Sequence, residues 1–162
     1  MRKNASHLKK RHWEKNNVPN AYSATVSAWL SKFETTLAKS DTQAAAALFA
    51  DKCYWRDLVS FTWNIMTLEG RPAIEAMLKE TLATVKPSSW KIEREATATD
   101  GVVEGWFTFE TAVARGRGIV RLKDGKCWTL LTTMVEPKGS EERKGPKRIM
   151  GAEHGVAKHR KN

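Results

Sequence analysis

A change of hydrophobic period partway along the chain constrains its fold more than any other feature. Up to Val85 the apolar residues recur at helical spacing; beyond Pro87 they alternate, and the alternation is cut by hairpin signals. Val18-Pro19-Asn20 marks a helix entry, after which Tyr22, Val26, Trp29, Leu30, Phe33 and Leu37 share one helical face. Ser40-Asp41-Thr42-Gln43 has the pattern of a capping box and opens a short second helix through Ala44 to Phe49. Strand-like pieces follow at Tyr54 to Asp57 and Ile65 to Leu68. Pro72 suits a first helical turn, and Ile74, Met77, Leu78, Leu82 and Val85 give a third amphipathic helix that must stop before Pro87.

The remainder has the pattern of a meander. Trp90, Ile92 and Ala96 alternate with charged residues, and Asp100-Gly101 is a two-residue hairpin turn. Val102 to Ala114 is one long strand, with Arg115-Gly116 as a turn candidate. Arg117 to Leu122, the loop Lys123-Asp124-Gly125-Lys126 and a last strand from Cys127 to Glu136 complete the series. Helices followed by strands define an α+β class. The expected architecture is a cone: a curved antiparallel sheet wrapped around the N-terminal helices, with a ligand pocket at its open mouth.

Charge divides the chain into a body and two tails. The net charge is +10, yet residues 1–17 and residues 138–162 each carry +5, leaving 18–137 neutral. A nucleic-acid-binding body should carry its own basic excess, so nucleic acid is not the expected partner. The expected organisation is a basic tail at 1–17, one domain at 18–137 and a linker-like basic tail at 138–162. No apolar stretch approaches the roughly 18 residues of a membrane span, and no secretory leader is visible; a cytoplasmic protein is expected. Cys53 and Cys127 lack metal-ligand spacing and are expected to be buried thiols.

Candidate chemistry gathers in the run Trp55-Arg56-Asp57-Leu58-Val59-Ser60-Phe61-Thr62-Trp63-Asn64. Two tryptophans here flank a carboxylate, a guanidinium and an amide. Asp57 beside an aromatic wall would lose solvation and could serve as a general acid or base. Equally, it could pair with Arg56 or Arg71, or cap a turn. Arg56 could clamp an anionic ligand or lie on the surface over its own stem. Trp63 and Asn64 could offer a stacking face with a hydrogen-bonding edge, or Trp63 could be core. On the long strand, Glu104, Trp106, Thr108 and Glu110 share one face, while the more apolar set Gly105, Phe107, Phe109 and Thr111 should face the helices. Trp106, Glu110 and, on the last strand, Trp128 are further ligand-binding candidates.

Several chemistries are disfavoured. His7, His12, His154 and His159 all lie in the tails, so a zinc site or a Ser-His-Asp triad in the body is not expected. Neither a dinucleotide fingerprint nor a P-loop occurs, and Gly116-Arg117-Gly118 is better suited to a turn than to a phosphate. No metal or cofactor is expected, and any catalysis should be cofactor-free acid–base chemistry.

The chain resembles the SnoaL-like domains of the nuclear-transport-factor-two-like superfamily. Trp29, Leu30 and Phe33, then Leu48-Phe49-Ala50, then Leu68-Glu69-Gly70-Arg71 carry that likeness. Cys53-Tyr54-Trp55-Arg56-Asp57-Leu58 with Phe61-Thr62-Trp63-Asn64 is similar to the domain preceding the flavin module in some bacterial flavin-dependent monooxygenases. Met150-Gly151-Ala152-Glu153-His154-Gly155 is similar to the linker into that module. Together the similarity spans about residues 20–155.

The resemblance implies a homodimeric domain that binds an apolar or aromatic small molecule, accessory to or derived from such a monooxygenase, with a flavoprotein as a possible partner. From the residues themselves, Trp55, Trp63 and Trp106 are expected as walls, with Arg56, Asp57 and Asn64 orienting the ligand. A cofactor-free isomerase, cyclase or hydrolase with Asp57 as general base is the rival expectation, since relatives use a cavity Asp or an Asp–His pair. No histidine in 18–137 completes such a pair. A third expectation is a dimeric interaction module, favoured if side chains fill the cavity. No flavin-binding sequence occurs in these residues, so flavin oxidation is not expected of them alone.

Overall fold

A computed structural model describes residues 20–142; both basic tails lie almost wholly outside them. The elements run α1 (Ala21–Ala38), α2 (Thr42–Ala47), β1 (Phe49–Leu58), β2 (Ile65–Glu69), α3 (Gly70–Val85), β3 (Ser88–Ile92), β4 (Thr97–Thr99), β5 (Val102–Glu110), β6 (Ala114–Lys123) and β7 (Lys126–Pro137).

Local chemistry explains the helix ends. Asn20 caps α1 by accepting the Ser23 N–H at 2.7 Å. Its Nδ2 donates to Ala96 O, while Ser23 Oγ accepts the Ala96 N–H, so the start of α1 is tied to the segment before β4. The cap of α2 is Asp41 rather than Ser40, and it accepts the Ala44 N–H at 2.9 Å. The capping-box reading was therefore one residue early: Ser40, at φ 53°, closes the end of α1 and leaves the cap to Asp41. Helix α3 ends with Lys86 in the left-handed region, one residue before Pro87.

The sheet order is β2-β1-β7-β6-β5-β3, with β4 paired to β5. It is not wholly antiparallel: β1 runs parallel to β7, which brings the first and last strands together. Helix α1 packs on β3, β4 and β5, α3 on β1 and β2, and α2 lies between α1 and α3. One strand boundary differs from expectation. Strand β5 stops at Glu110, and the turn falls at Thr111 to Val113, where the Thr111 N–H donates to Ala114 O. Arg115, Gly116 and Gly118 lie inside β6. These glycines meet a spatial need: a Cβ on Gly116 would collide with the Phe109 ring, and one on Gly118 with the Phe107 ring and Leu131 O.

The core is an aromatic cluster between the helices and the inner sheet face. Trp29 stacks on Phe33 at 4.8 Å, and Phe33 meets Trp90 edge-on at 5.2 Å. Trp90 stacks on Phe109 at 4.8 Å, and Phe61 meets Trp55 edge-on at 4.9 Å. Each such pair adds about 0.5–1.5 kcal/mol beyond burial. As expected, Phe107 and Phe109 point inward.

Candidate functional site

The aromatic run forms the end of β1 and the loop into β2. On β1, Trp55 and Asp57 alternate inward with Tyr54 and Arg56 outward. Both inward side chains are fully buried. Asp57 is turned on its own loop. Its Oδ1 accepts from Ser60 Oγ and from Thr132 Oγ1 (2.7 Å). Its Oδ2 accepts from the Phe61 N–H (2.9 Å), the Thr62 N–H (2.8 Å) and Thr62 Oγ1 (2.9 Å). Thr132 Oγ1 in turn accepts the Trp55 Nε1–H at 2.8 Å. A buried carboxylate is tolerable when its lone pairs are met in this way. Of the alternatives open in the sequence, the turn-capping role matches this geometry, and an Asp57 facing a cavity does not.

The loop so held is unusual. Val59 and Trp63 both have positive φ, at 66° and 55°. For a β-branched and a bulky residue this conformation is strained and needs local support. Support comes from the Asp57 bonds, from the Val59 N–H to Asn64 O at 3.0 Å, and from Asn64 Oδ1 capping the Ile65 N–H at 2.8 Å. The result is outward display: Trp63 is 61% exposed and Ile65 on the edge strand 63%. Trp63 therefore walls no interior pocket, and Asn64's side-chain oxygen serves the turn.

The other candidates are scattered. Arg56 lies on the outer sheet face, bonded to Thr67 Oγ1 at 2.9 Å. It borders a shallow cleft of about 370 Å³ with Tyr54, Ile119 and Leu131. Trp106 is also on the outer face, between the Arg94 and Arg117 guanidiniums at 4.3 and 4.9 Å. Glu110 pairs with Lys138 at 2.8 Å, and that hydrogen bond and charge hold its carboxyl below the usual range, the opposite of a poised acid. Trp128 stands apart, in a second cleft at the opposite end of β1. Trp55, Asp57 and the 63–64 turn thus cluster; Arg56, Trp106, Glu110 and Trp128 do not join them.

Cys53 and Cys127 are buried free thiols. Burial pushes both upward, Cys127 well above the usual thiol range. Among the described residues no group of three or more His, Cys, Asp or Glu side chains could hold a metal, and no helix is long and apolar enough to cross a membrane.

Sequence reasoning missed Ser60, Thr62 and Thr132 as partners of Asp57. The first two carried a signal, since hydroxyl residues shortly after an Asp favour side-chain-bonded turns. Thr132 comes from 75 residues away and carried none.

Among the described residues, the wrapped sheet and the helices packed on its inner face define an α+β domain of the cystatin-like, nuclear-transport-factor-two-like class. Solved structures agree. A ketosteroid isomerase-like protein from Erwinia carotovora atroseptica superposes with TM-score 0.60 at 12% identity, over 73% of this chain and 99% of that one. A cystatin-like domain of unknown function from Nostoc punctiforme gives 0.54 at 15%, over 73% and 80%. The Orange Carotenoid Protein of Anabaena, solved binding canthaxanthin, gives 0.55 at 17%, over 74% of this chain but 38% of that one. At these identities the likeness is one of fold. The family model of the SnoaL-like domain matches residues 30–130, more than half of the sequence, and the chain belongs to that family. No curated protein sequence matches it.

Proposed function

We propose that this chain is a docking module rather than an enzyme, with the loop 58–64 and the neighbouring edge strand β2 as its contact element. The observation that carries this reading is the engagement of both Asp57 oxygens by its own loop and by Thr132, which stiffens a turn displaying Trp63 and Ile65. Rigid, central tryptophans are typical anchors of protein interfaces, and a preorganised loop loses little entropy on binding. Strand β2 ends the sheet, and an edge strand is a template for pairing. A second copy of the chain is the partner proposed, since a two-fold arrangement sets the same patch against itself.

Sedimentation velocity on the full chain tests this. The expected mass is near twice 18.3 kDa at tens of micromolar, and a Trp63→Ser, Ile65→Lys variant should sediment as a monomer with an unchanged unfolding midpoint. A wild-type monomer at every concentration rejects self-docking. The sequence resemblance names a flavin-dependent monooxygenase as the other protein to test, and the same variant should lose co-sedimentation with it. Asp57 as general base is less well supported, because a substrate proton would have to reach an oxygen already facing several donors.

One observation favours a ligand in the core. Trp90 Nε1–H is buried with no acceptor among the described residues, a state that costs about 1–3 kcal/mol. A carbonyl or hydroxyl of an apolar guest would supply one. Thermal shift with an apolar ketone and with canthaxanthin decides it: a midpoint rising with ligand concentration supports the guest, and a constant one rejects it.

A further inference from the structure

We infer that the cleft between the start of β1 and the β6–β7 hairpin binds a small planar anion, a ring system carrying a phosphate or carboxylate. This site is separate from the Trp63 loop and does not depend on docking.

Two faults in strand register build the cleft. Leu122 pairs with Cys127 and Arg121 with Thr129, so Trp128 is an extra residue in β7. On the other side Phe49 faces Cys127 and Tyr54 faces Thr129; the four residues from Ala50 to Cys53 thus stand opposite Trp128 alone. Bulges re-aim side chains and break pairing. These two turn the Trp128 indole, Asp51 and Lys52 into one hollow of about 540 Å³, shared with Arg71, Lys123, Asp124 and Lys126. That volume is within the range of small-molecule sites, roughly 300–1,000 Å³.

Charge then selects the ligand. Four cations line the hollow against two carboxylates. Arg71 is engaged by Phe49 O at 2.8 Å and Asp51 at 3.1 Å, and Lys126 donates to Ala47 O at 2.7 Å. The Lys52 and Lys123 ammoniums have no hydrogen bond or ion pair among the described residues, so both can turn to an anion. A cleft with one sign of charge in excess concentrates counter-ions of the other. Trp128, 38% exposed, gives a flat apolar face beside them. The combination fits one ring and one anionic group. A long polyanion would want a stripe of cations over the body, yet residues 18–137 are neutral overall.

Adenosine 5′-monophosphate is a suitable probe, with adenosine and inorganic phosphate as its two halves. Titration of the full chain by ¹H–¹⁵N NMR, with the Trp128 indole resonance assigned through Trp128→Phe, should give saturable shifts at that indole and at the Lys52 and Gly125 amides. Either half alone should bind at least about tenfold more weakly. Trp128→Ala should weaken the nucleotide at least about fivefold, as loss of a stacking platform does. Lys52→Ala with Lys123→Ala should weaken it about tenfold or more. Neither lysine holds the fold, so unfolding midpoints should stay constant. Shifts that do not saturate, binding of phosphate alone as tight as that of the nucleotide, or variants that leave the affinity unchanged would each overturn the assignment.

Discussion

Thr132 Oγ1 donates to Asp57 Oδ1 at 2.7 Å across the parallel β1–β7 pair, and the same oxygen accepts the indole N–H of Trp55 at 2.8 Å. One hydroxyl thus joins the last strand, the core tryptophan and the loop-holding carboxylate. Thr132→Val keeps the shape and removes both bonds, leaving a buried indole N–H and a carboxylate lone pair unmet. The expected loss is about 1–3 kcal/mol by urea unfolding. Thr132→Ser, which retains the hydroxyl, should lose less.

Glycines in β6 should respond to substitution by space rather than by turn geometry. Gly118→Ala pushes a methyl into Leu131 O and the Phe107 ring, and should cost about 1–3 kcal/mol or more. Gly125→Ala meets open space but sits at φ +72°, so about 1–2 kcal/mol of backbone strain is expected. Equilibrium unfolding of the two variants checks the order.

The two thiols should be silent in the folded protein. Cys127 is raised well above the usual thiol range by burial, and Cys53 is raised too. A folded-state pKa above the unfolded one adds stability at neutral pH that fades as pH rises through the unfolded thiol range toward the folded value. Ellman's reagent should therefore label neither cysteine at neutral pH without denaturant, and both in urea.

Glu110 should titrate below a free glutamate because of Lys138, with Arg115 and Lys91 helping less. Its contribution to stability is present above the ordinary carboxylate range and is lost as pH falls through its lowered value. NMR titration of the side-chain carboxyl should show the depression, and Lys138→Met should largely remove it.

Period and punctuation revealed most of the fold. The α1 face, the stop of α3 before Pro87 and the inward Phe107–Phe109 row follow from spacing that local physics enforces. Contacts made across long separations were hidden. The parallel pairing of β1 with β7 and the reach of Thr132 to Asp57 depend on closure of the whole sheet. Arg115-Gly116 was misread as a turn because glycine answers equally to a bend and to a ring pressing on a strand. At the candidate site, the sequence singled out the ten residues from Trp55 to Asn64 but could not say which way the carboxylate faced. An aspartate among tryptophans looks the same whether it lines a hollow or organises a loop. The bulge that turns Trp128 outward depends on register, which no local pattern encodes.

Amide hydrogen exchange at Phe61 and Thr62 tests most directly whether Asp57 serves its own loop. Both N–H groups should be protected in the wild type and should exchange faster in Asp57→Asn, while the amides of β5 and β6 lose protection only by as much as global stability falls. Fast exchange at these two amides in the wild type, or protection untouched by the substitution, would contradict the account.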